Sequence, residues 1–335
     1  MKKILYSLLL ACSPWFVHAQ TPFENEKITG YSGRNIPSLA YKKDSFNFVV
    51  LGDFGRVGDY YQKEVAREMG NAMVVLDGEF VVSVGDNFYP NGVASTQDYH
   101  WIASFETIYT NPSLYANWYV ALGNHDYLGN VQAQLDYTNI SRRWNMPERY
   151  YSEVFTLENG KKLLLVVMDT NPFIDGYQKS NKYSDLTEQD TAKQMQWLEE
   201  TLGQAAEDIQ WKIVVGHHPM YSGGKRKNNK DTQGFEQKFA AFFDRHKVDA
   251  YICGHEHDLQ IIKPKNRYTT QFLSGAASEV RPSGTMEHTI FAAAEPGFMT
   301  FSIAANELTV QVVKAKDDKA EVIYTHTIKQ KNNAY

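Results

Sequence analysis

Five short apolar runs in this chain stop at a glycine that is followed at once by Asp, Asn or His. Phe46 to Leu51 ends in Gly52-Asp53, Phe80 to Val84 in Gly85-Asp86, and Trp118 to Leu122 in Gly123-Asn124. Ile213 to Val215 ends in Gly216-His217, and Ala250 to Cys253 in Gly254-His255. A sixth run, Leu163 to Met168, ends in Asp169. Between them Val65, Met69, Ala72, Met73 and Leu76 recur at helical spacing, and amphipathic helices are expected at about 188–205 and 235–246. The tail alternates like antiparallel strand over Gly297 to Ile303, Leu308 to Val313 and Val322 to Ile328. Strands alternating with helices imply an α/β fold with a largely buried sheet. Ligands of open α/β sheets gather at the carboxyl ends of the strands. Glycine lets the chain turn there without steric cost, so distant positions converge on one rim.

The chain has 335 residues, 43% of them apolar, enough for the core of one large domain. No linker, repeat or low-complexity tract divides it. Its start reads Met1-Lys2-Lys3, then apolar Ile4 to Ala11, then Val17-His18-Ala19 before Gln20. That is the pattern of a secretory signal peptide over 1–19, cleaved after Ala19, so the expected location is secreted or periplasmic. Leu9-Leu10-Ala11-Cys12 allows a rival reading as a lipoprotein box with acylated Cys12, which would tether the protein to a membrane. Leu10 fits that box poorly, and apolar character continues through Trp15-Phe16-Val17. Residues 20–44 are polar and read as an N-terminal arm, and 45–330 as one domain. Lys and Arg number 34 against 39 Asp and Glu. Loss of Lys2 and Lys3 leaves 32 against 39, a net charge of about −7. Neither nucleic acid nor an anionic membrane is implied as a partner, and a monomer is expected. Without Cys12, Cys253 is the last cysteine, so no internal disulfide can form.

The polar residues at the strand ends are Asp53, Asp86, Asn124, His217, His255 and His257, with Tyr89 three residues past Asp86. The set is too rich in acids and too poor in thiols for a structural zinc site. Seven candidates exceed what one ion needs once water is included, and two ions sharing a bridging carboxylate fit better. Two-metal sites suit in-line displacement at phosphorus, because they stabilise both the attacking and the leaving oxygen. Asp53 and Asp86 could alternatively be helix N-caps, where Asp is favoured.

Gly52-Asp53-Phe54-Gly55, Gly85-Asp86-Asn87-Phe88-Tyr89, Gly123-Asn124-His125-Asp126, Gly216-His217-His218-Pro219 and Gly254-His255-Glu256-His257 occur in that order. The series resembles the five motif blocks of the purple acid phosphatases, within the calcineurin-like metallophosphoesterases. It is most similar to the small tartrate-resistant acid phosphatases. The resemblance implies a four-layer α/β/β/α sandwich of two mixed sheets flanked by helices over the 45–330 catalytic domain. It implies an iron, Fe3+, held by Asp53, Tyr89 and His257. Asp86 would bridge to a second divalent ion, Fe2+, Zn2+ or Mn2+, held by Asn124, His217 and His255. It also implies an acid phosphatase that releases inorganic phosphate from phosphomonoesters by attack of a metal-bound hydroxide. Its substrates would be small phosphate esters or phosphoproteins, bound by Asn124, His125 and His217. Gly55 stands where many wider relatives have a histidine, and Tyr89 would supply the missing ligand. A phenolate is a hard donor suited to iron(III).

His125 would sit beside the phosphoryl group as a hydrogen-bond donor or general acid, or as a neighbour of no direct chemical role. Asp126 would orient it, as carboxylates commonly orient histidines. His218 reads as structural, and Cys253 as an inert buried thiol. The basic run Lys225 to Lys230 is either solvated surface or a rim attracting phosphorylated substrates. Asn171 to Asp190 corresponds to a loop over the site in the animal relatives, but carries no cysteine here. Two other functions compete: a phosphodiesterase or nucleotide pyrophosphatase with the same metal core, and a non-catalytic protein that binds metal or phosphate.

Overall fold

The computed structural model describes residues 35–330. The expected signal peptide, Cys12 and the first part of the arm lie outside them. The first sheet is begun by β1 (Phe46–Leu51), β2 (Phe80–Ser83), β3 (Asn117–Val120) and the short β4 (Trp144–Asn145), with α1 (Gln62–Leu76) after β1 and α2 (Val131–Tyr137) after β3. β5 (Tyr151–Thr156) and β6 (Lys162–Val167) open the second sheet. After them come α3 (Asp175–Gln178), α4 (Thr191–Gly203), β7 (Ile209–Val215), α5 (Lys230–Arg245) and β8 (Ala250–Cys253). β9 (Leu259–Ile262), β10 (Thr270–Ser274) and β11 (Thr289–Ala293) complete that sheet. The chain then returns to the first through β12 (Gly297–Ala304), β13 (Glu307–Lys316) and β14 (Lys319–Lys329).

The strand orders are β14-β13-β12-β1-β2-β3-β4 and β11-β9-β10-β8-β7-β6-β5. Both sheets are mixed. β1 to β4 are parallel, as are β6, β7, β8 and β10, while β12 adds antiparallel to β1 with Phe301 opposite Phe48. The period of two along a strand explains the layering. In β1, Phe46, Phe48 and Val50 face the second sheet, where they share a core with Leu163, Leu165 and Val167. Val49 and Leu51 face outward onto Val65, Met69 and Met73 of α1. In and just past β6, Leu164, Val166 and Met168 pack on Leu198 of α4 and on Phe235 and Phe239 of α5. Two sheets with helices on both outer faces form the four-layer sandwich. Phe48 stacks between Phe80 and Phe301, with ring centroids at 4.8 and 5.0 Å. Its truncation to Ala would cost about 3–5 kcal/mol.

The helices expected at about 188–205 and 235–246 are Thr191–Gly203 and Lys230–Arg245. The latter starts earlier because Asn229 caps it, accepting from the Asp231 N–H at 2.7 Å. Residues 35–44 lie along the β13–β14 edge. Ile36 is buried in the core, and Ala40 exchanges two hydrogen bonds with the Gln311 side chain. No helix among the described residues is long and apolar enough to cross a membrane.

Candidate metal centre

The strand-end turns bring the seven sequence candidates together, and they separate into two groups joined by Asp86. Tyr89 Oη lies 3.0 Å from Asp53 Oδ1, 2.8 Å from Asp86 Oδ2 and 3.2 Å from His257 Nε2. On the other side, His217 Nε2 lies 3.3 Å from Asn124 Oδ1, 3.1 Å from His255 Nδ1 and 3.4 Å from Asp86 Oδ1. Asp86 is thus the carboxylate that faces both groups, one oxygen to each.

The local backbone is shaped for this. Asp53, Asp86 and His255 have φ of 58°, 52° and 72°, a left-handed conformation that Asp tolerates better than most residues. Neither Asp caps a helix: α1 begins at Gln62, and the side chains that cap α2, α4 and α5 belong to Asn130, Asp190 and Asn229. The two Gly-Asp turns are tied together, with Asp53 N donating to Gly85 O at 3.0 Å. At Gly123 a Cβ would strike the Asp86 backbone and carboxylate, so only glycine lets the two loops touch. At Gly55 a Cβ would fall onto the Asn87 carbonyl oxygen. No histidine fits there, and the Tyr89 phenol stands beside Asp53 instead. The Arg56 guanidinium lies 3.7 Å from the centre of the Tyr89 ring and pairs with Glu279 at 2.7 Å, which holds that ring in place.

Electrostatics show what this donor set lacks. Burial, partly offset by His217 and reinforced by the Asp86 charge, pushes the Asp53 carboxyl up to about 8. Burial and the same two carboxylates push the Tyr89 phenol well above its ordinary value. Burial also disfavours the Asp86 charge, but His217 and His125 outweigh it and hold that carboxyl well below the usual range. Burial keeps His255 neutral well below its ordinary value, and with Arg281 it brings His257 to about 2. Two acids, a phenol and the neutral imidazoles of His255 and His257 thus crowd polar atoms at shared points, at a cost that a cation would remove. The His217 Nδ1–H donates to Val84 O at 2.9 Å, which fixes the tautomer that presents Nε2. The residues present fit two metal ions.

The remaining candidates occupy different roles. His125 is half-buried; its backbone N–H donates to Asp86 Oδ1 at 2.8 Å and its Nδ1 faces Pro90 O at 2.5 Å. The Asp126 carboxylate is fully buried and takes hydrogen bonds from the Gly123 and Asn87 backbone and from the Asn87 and Gln134 side chains. The partner of the His125 Nδ1 is therefore Pro90, and Asp126 holds the turns. His218 belongs to a cluster with His217 and His255, but its nitrogens face the hydroxyls of Thr170 at 2.8 Å and Tyr177 at 3.1 Å. Cys253 is a buried free thiol.

Sequence reasoning passed over Arg56, Asn87, Gln134 and Glu256. Asn87 and Glu256 stand inside the motif blocks, which was the available signal; Gln134 gave none, since only folding brings it to Asp126. A cleft of about 220 Å³ is lined by Asn124 and His255. Ile174, Tyr177, Arg226, Asn229, Asp231 and Thr232 also line it. Tyr183, from the same 171–190 segment, stands beside the Asn124 side chain.

A sequence profile of the calcineurin-like phosphoesterases matches residues 46–259. Purple acid phosphatase 4 of Arabidopsis thaliana is 35% identical over 278 residues, covering 79% of each chain. The tartrate-resistant acid phosphatase type 5 of Homo sapiens is 31% identical over 306 residues, covering 84% of this chain and 91% of its own. Among solved structures, the GAP50 anchor of the Plasmodium inner membrane complex superposes with a TM-score of 0.74 at 24% identity, over 87% and 90% of the two chains. The purple acid phosphatase PPD1 of Lupinus luteus gives 0.58 at 15% identity, over 88% and 55%. These two show the same fold, and the extent of sequence identity to the phosphatases goes further: this chain belongs to the purple acid phosphatase family of the calcineurin-like phosphoesterases and is an acid phosphatase with a dinuclear metal centre.

Proposed function

We propose that the protein is a secreted phosphomonoesterase whose two ions are iron(III) and a divalent metal. Asp53, Tyr89 and His257 hold the iron, Asn124, His217 and His255 hold the divalent ion, and Asp86 bridges. The catalytic domain spans 45–330, behind a cleaved signal over 1–19 and an arm over 20–44. The observation that carries this reading is the Tyr89 oxygen, which lies within 3.2 Å of Asp53, Asp86 and His257 donors. A buried phenol between two carboxylates is unfavourable for a proton-transfer group and suited to a hard trivalent cation.

Two bound cations would supply charge neutralisation at the phosphoryl oxygens and a more acidic water. The chain's own groups do the rest. Asn124, His125 and His217 surround the phosphoryl position. Nδ1–H donates to Pro90 O, so it is the imidazolium form of His125 whose Nε2–H would be given to the leaving oxygen, the ring returning to the neutral Nδ1–H tautomer. Asp126 acts one step behind, by fixing the turns that carry Asn124, His125 and Asp86.

The test is spectroscopic. Iron-loaded protein should be purple or pink, because a tyrosinate bound to iron(III) absorbs visible light by charge transfer. Tyr89→Phe should abolish the band and keep the fold, since Phe conserves most of the buried volume. A colourless protein, fully active with zinc in both positions and indifferent to Tyr89→Phe, would sink the iron assignment. Release of phosphate from monoesters in preference to bis-esters tests the substrate. An N-terminus at Gln20 on the exported protein tests secretion, and an acylated Cys12 terminus would refute it.

A further inference from the structure

The sequence allows the basic run Lys225 to Lys230 a solvated role or a substrate-facing one, and the fold separates its residues. Lys225, Lys227 and Lys230 are exposed, with the Lys227 Nζ spanning to Thr285 O at 2.8 Å. Arg226 turns inward onto the wall of the cleft, its side chain 22% exposed. Its Nη1 donates to His255 O at 3.0 Å and to Glu256 Oε2 at 3.1 Å, and its backbone N–H donates to Glu256 Oε1 at 2.6 Å. Glu256 stands between two of the metal-ligand candidates and is 2% exposed. It also accepts from Ser222 Oγ at 2.6 Å. A buried carboxylate thus fixes both the backbone and the guanidinium of Arg226, lowering the ordering cost of any ligand it meets. These bonds use Nη1, so Nε and Nη2 remain as donors in the fork geometry that suits carboxylates and phosphoryl groups.

Asn124, His255 and Arg226 line the same cleft, so a phosphoryl group at the metal pair would have its leaving group within reach of this wall. At about 220 Å³ it is smaller than the roughly 300–1,000 Å³ of drug-sized sites. That size suits a small leaving group and not a folded phosphoprotein surface. We propose that Arg226, positioned by Glu256, binds a second anionic group on the leaving group, so that the enzyme prefers small phosphate esters and anhydrides carrying a further carboxylate or phosphoryl group. The proposal rests on the phosphomonoesterase reading above.

The experiment measures kcat and KM of the metal-loaded enzyme on phenyl phosphate, O-phosphoserine and pyrophosphate. Arg226→Gln should raise KM about tenfold for the anionic leaving groups, the size expected for one lost charge-assisted contact, with a much smaller change for phenyl phosphate. Arg226→Lys should restore part of the difference, and Lys230→Gln, on the exposed side of the loop, should leave all three substrates as in the parent. An effect confined to O-phosphoserine identifies a carboxylate as the natural group, and one confined to pyrophosphate a phosphoryl group. An equal loss on phenyl phosphate, or no change on any substrate, overturns the assignment of Arg226. Failure of the fully metal-loaded parent to hydrolyse any of the three overturns the phosphomonoesterase reading itself.

Discussion

Replacing Asp126 by Asn changes one atom and separates two roles for this residue. In the structure its Oδ2 accepts from Gly123 N at 2.8 Å and Asn87 Nδ2 at 3.1 Å, and its Oδ1 from Gln134 Nε2 at 2.9 Å, while Asn87 N is shared between the two oxygens. An amide has one oxygen, so its NH2 must face at least one of these buried donors. Each stranded buried donor costs about 1–3 kcal/mol. One or two of them, plus the lost charge assistance, give a destabilisation of roughly 2–4 kcal/mol. Burial and the Asp86 charge push Asp126 up to about 7, so the comparison belongs at pH 8, where the carboxylate is mostly ionised. Because the donors sit on the turns that bear Asp86 and Asn124, the variant should also bind both metals more weakly. Urea denaturation and metal content per chain are the measurements. Unchanged stability and full metal content, with a kcat loss of about a hundredfold, would refute the network account and make Asp126 a partner of the His125 ring.

His125→Ala should keep both metals and lower kcat by about 10²–10⁴, the range for a lost acid–base group; metal loss in this variant, seen by elemental analysis, would contradict its placement. Molybdate and phosphate should compete with substrate while tartrate inhibits poorly, because two cations spaced for a phosphoryl group favour tetrahedral oxyanions; the reverse order in steady-state inhibition would point to a different chemistry. Metal binding should release protons and tighten as pH rises. Asp53 is held near 8, Tyr89 well above its ordinary value and His217 near 9, so each must lose its proton to become a ligand. Calorimetry in buffers of different ionisation enthalpy reads this directly, and an affinity flat between pH 6 and 9 would rule it out.

Much of the candidate site was legible because strand, glycine and candidate ligand are adjacent in sequence. A buried strand must end in a turn, and the residue after that turn projects from the rim, so Asp53, Asp86, Asn124, His217 and His255 declare themselves locally. The buried runs of β1 and β8 were equally plain, since neither face meets water. β5, β9 and β11 were not. They pair antiparallel at or near the edges of the second sheet, and their fit depends on neighbours far along the chain. Nor does periodicity say that the β12–β14 meander returns to β1, which only the Phe48–Phe301 register decides.

What the sequence by itself determined is the donor set and its chemistry: acids, amide, phenol and imidazoles in a fixed order. What only the tertiary structure decided is how those donors divide and what orients them. Asp86 turns one oxygen to each group because its φ of 52° and the bare Gly123 bring two loops into contact. Asp126 meets Gln134 rather than the His125 ring, and Arg226 meets Glu256, because buried carboxylates must find donors wherever packing brings them. Asp126 and Gln134 stand eight residues apart and Arg226 and Glu256 thirty, and no local pattern of residues encodes either pairing.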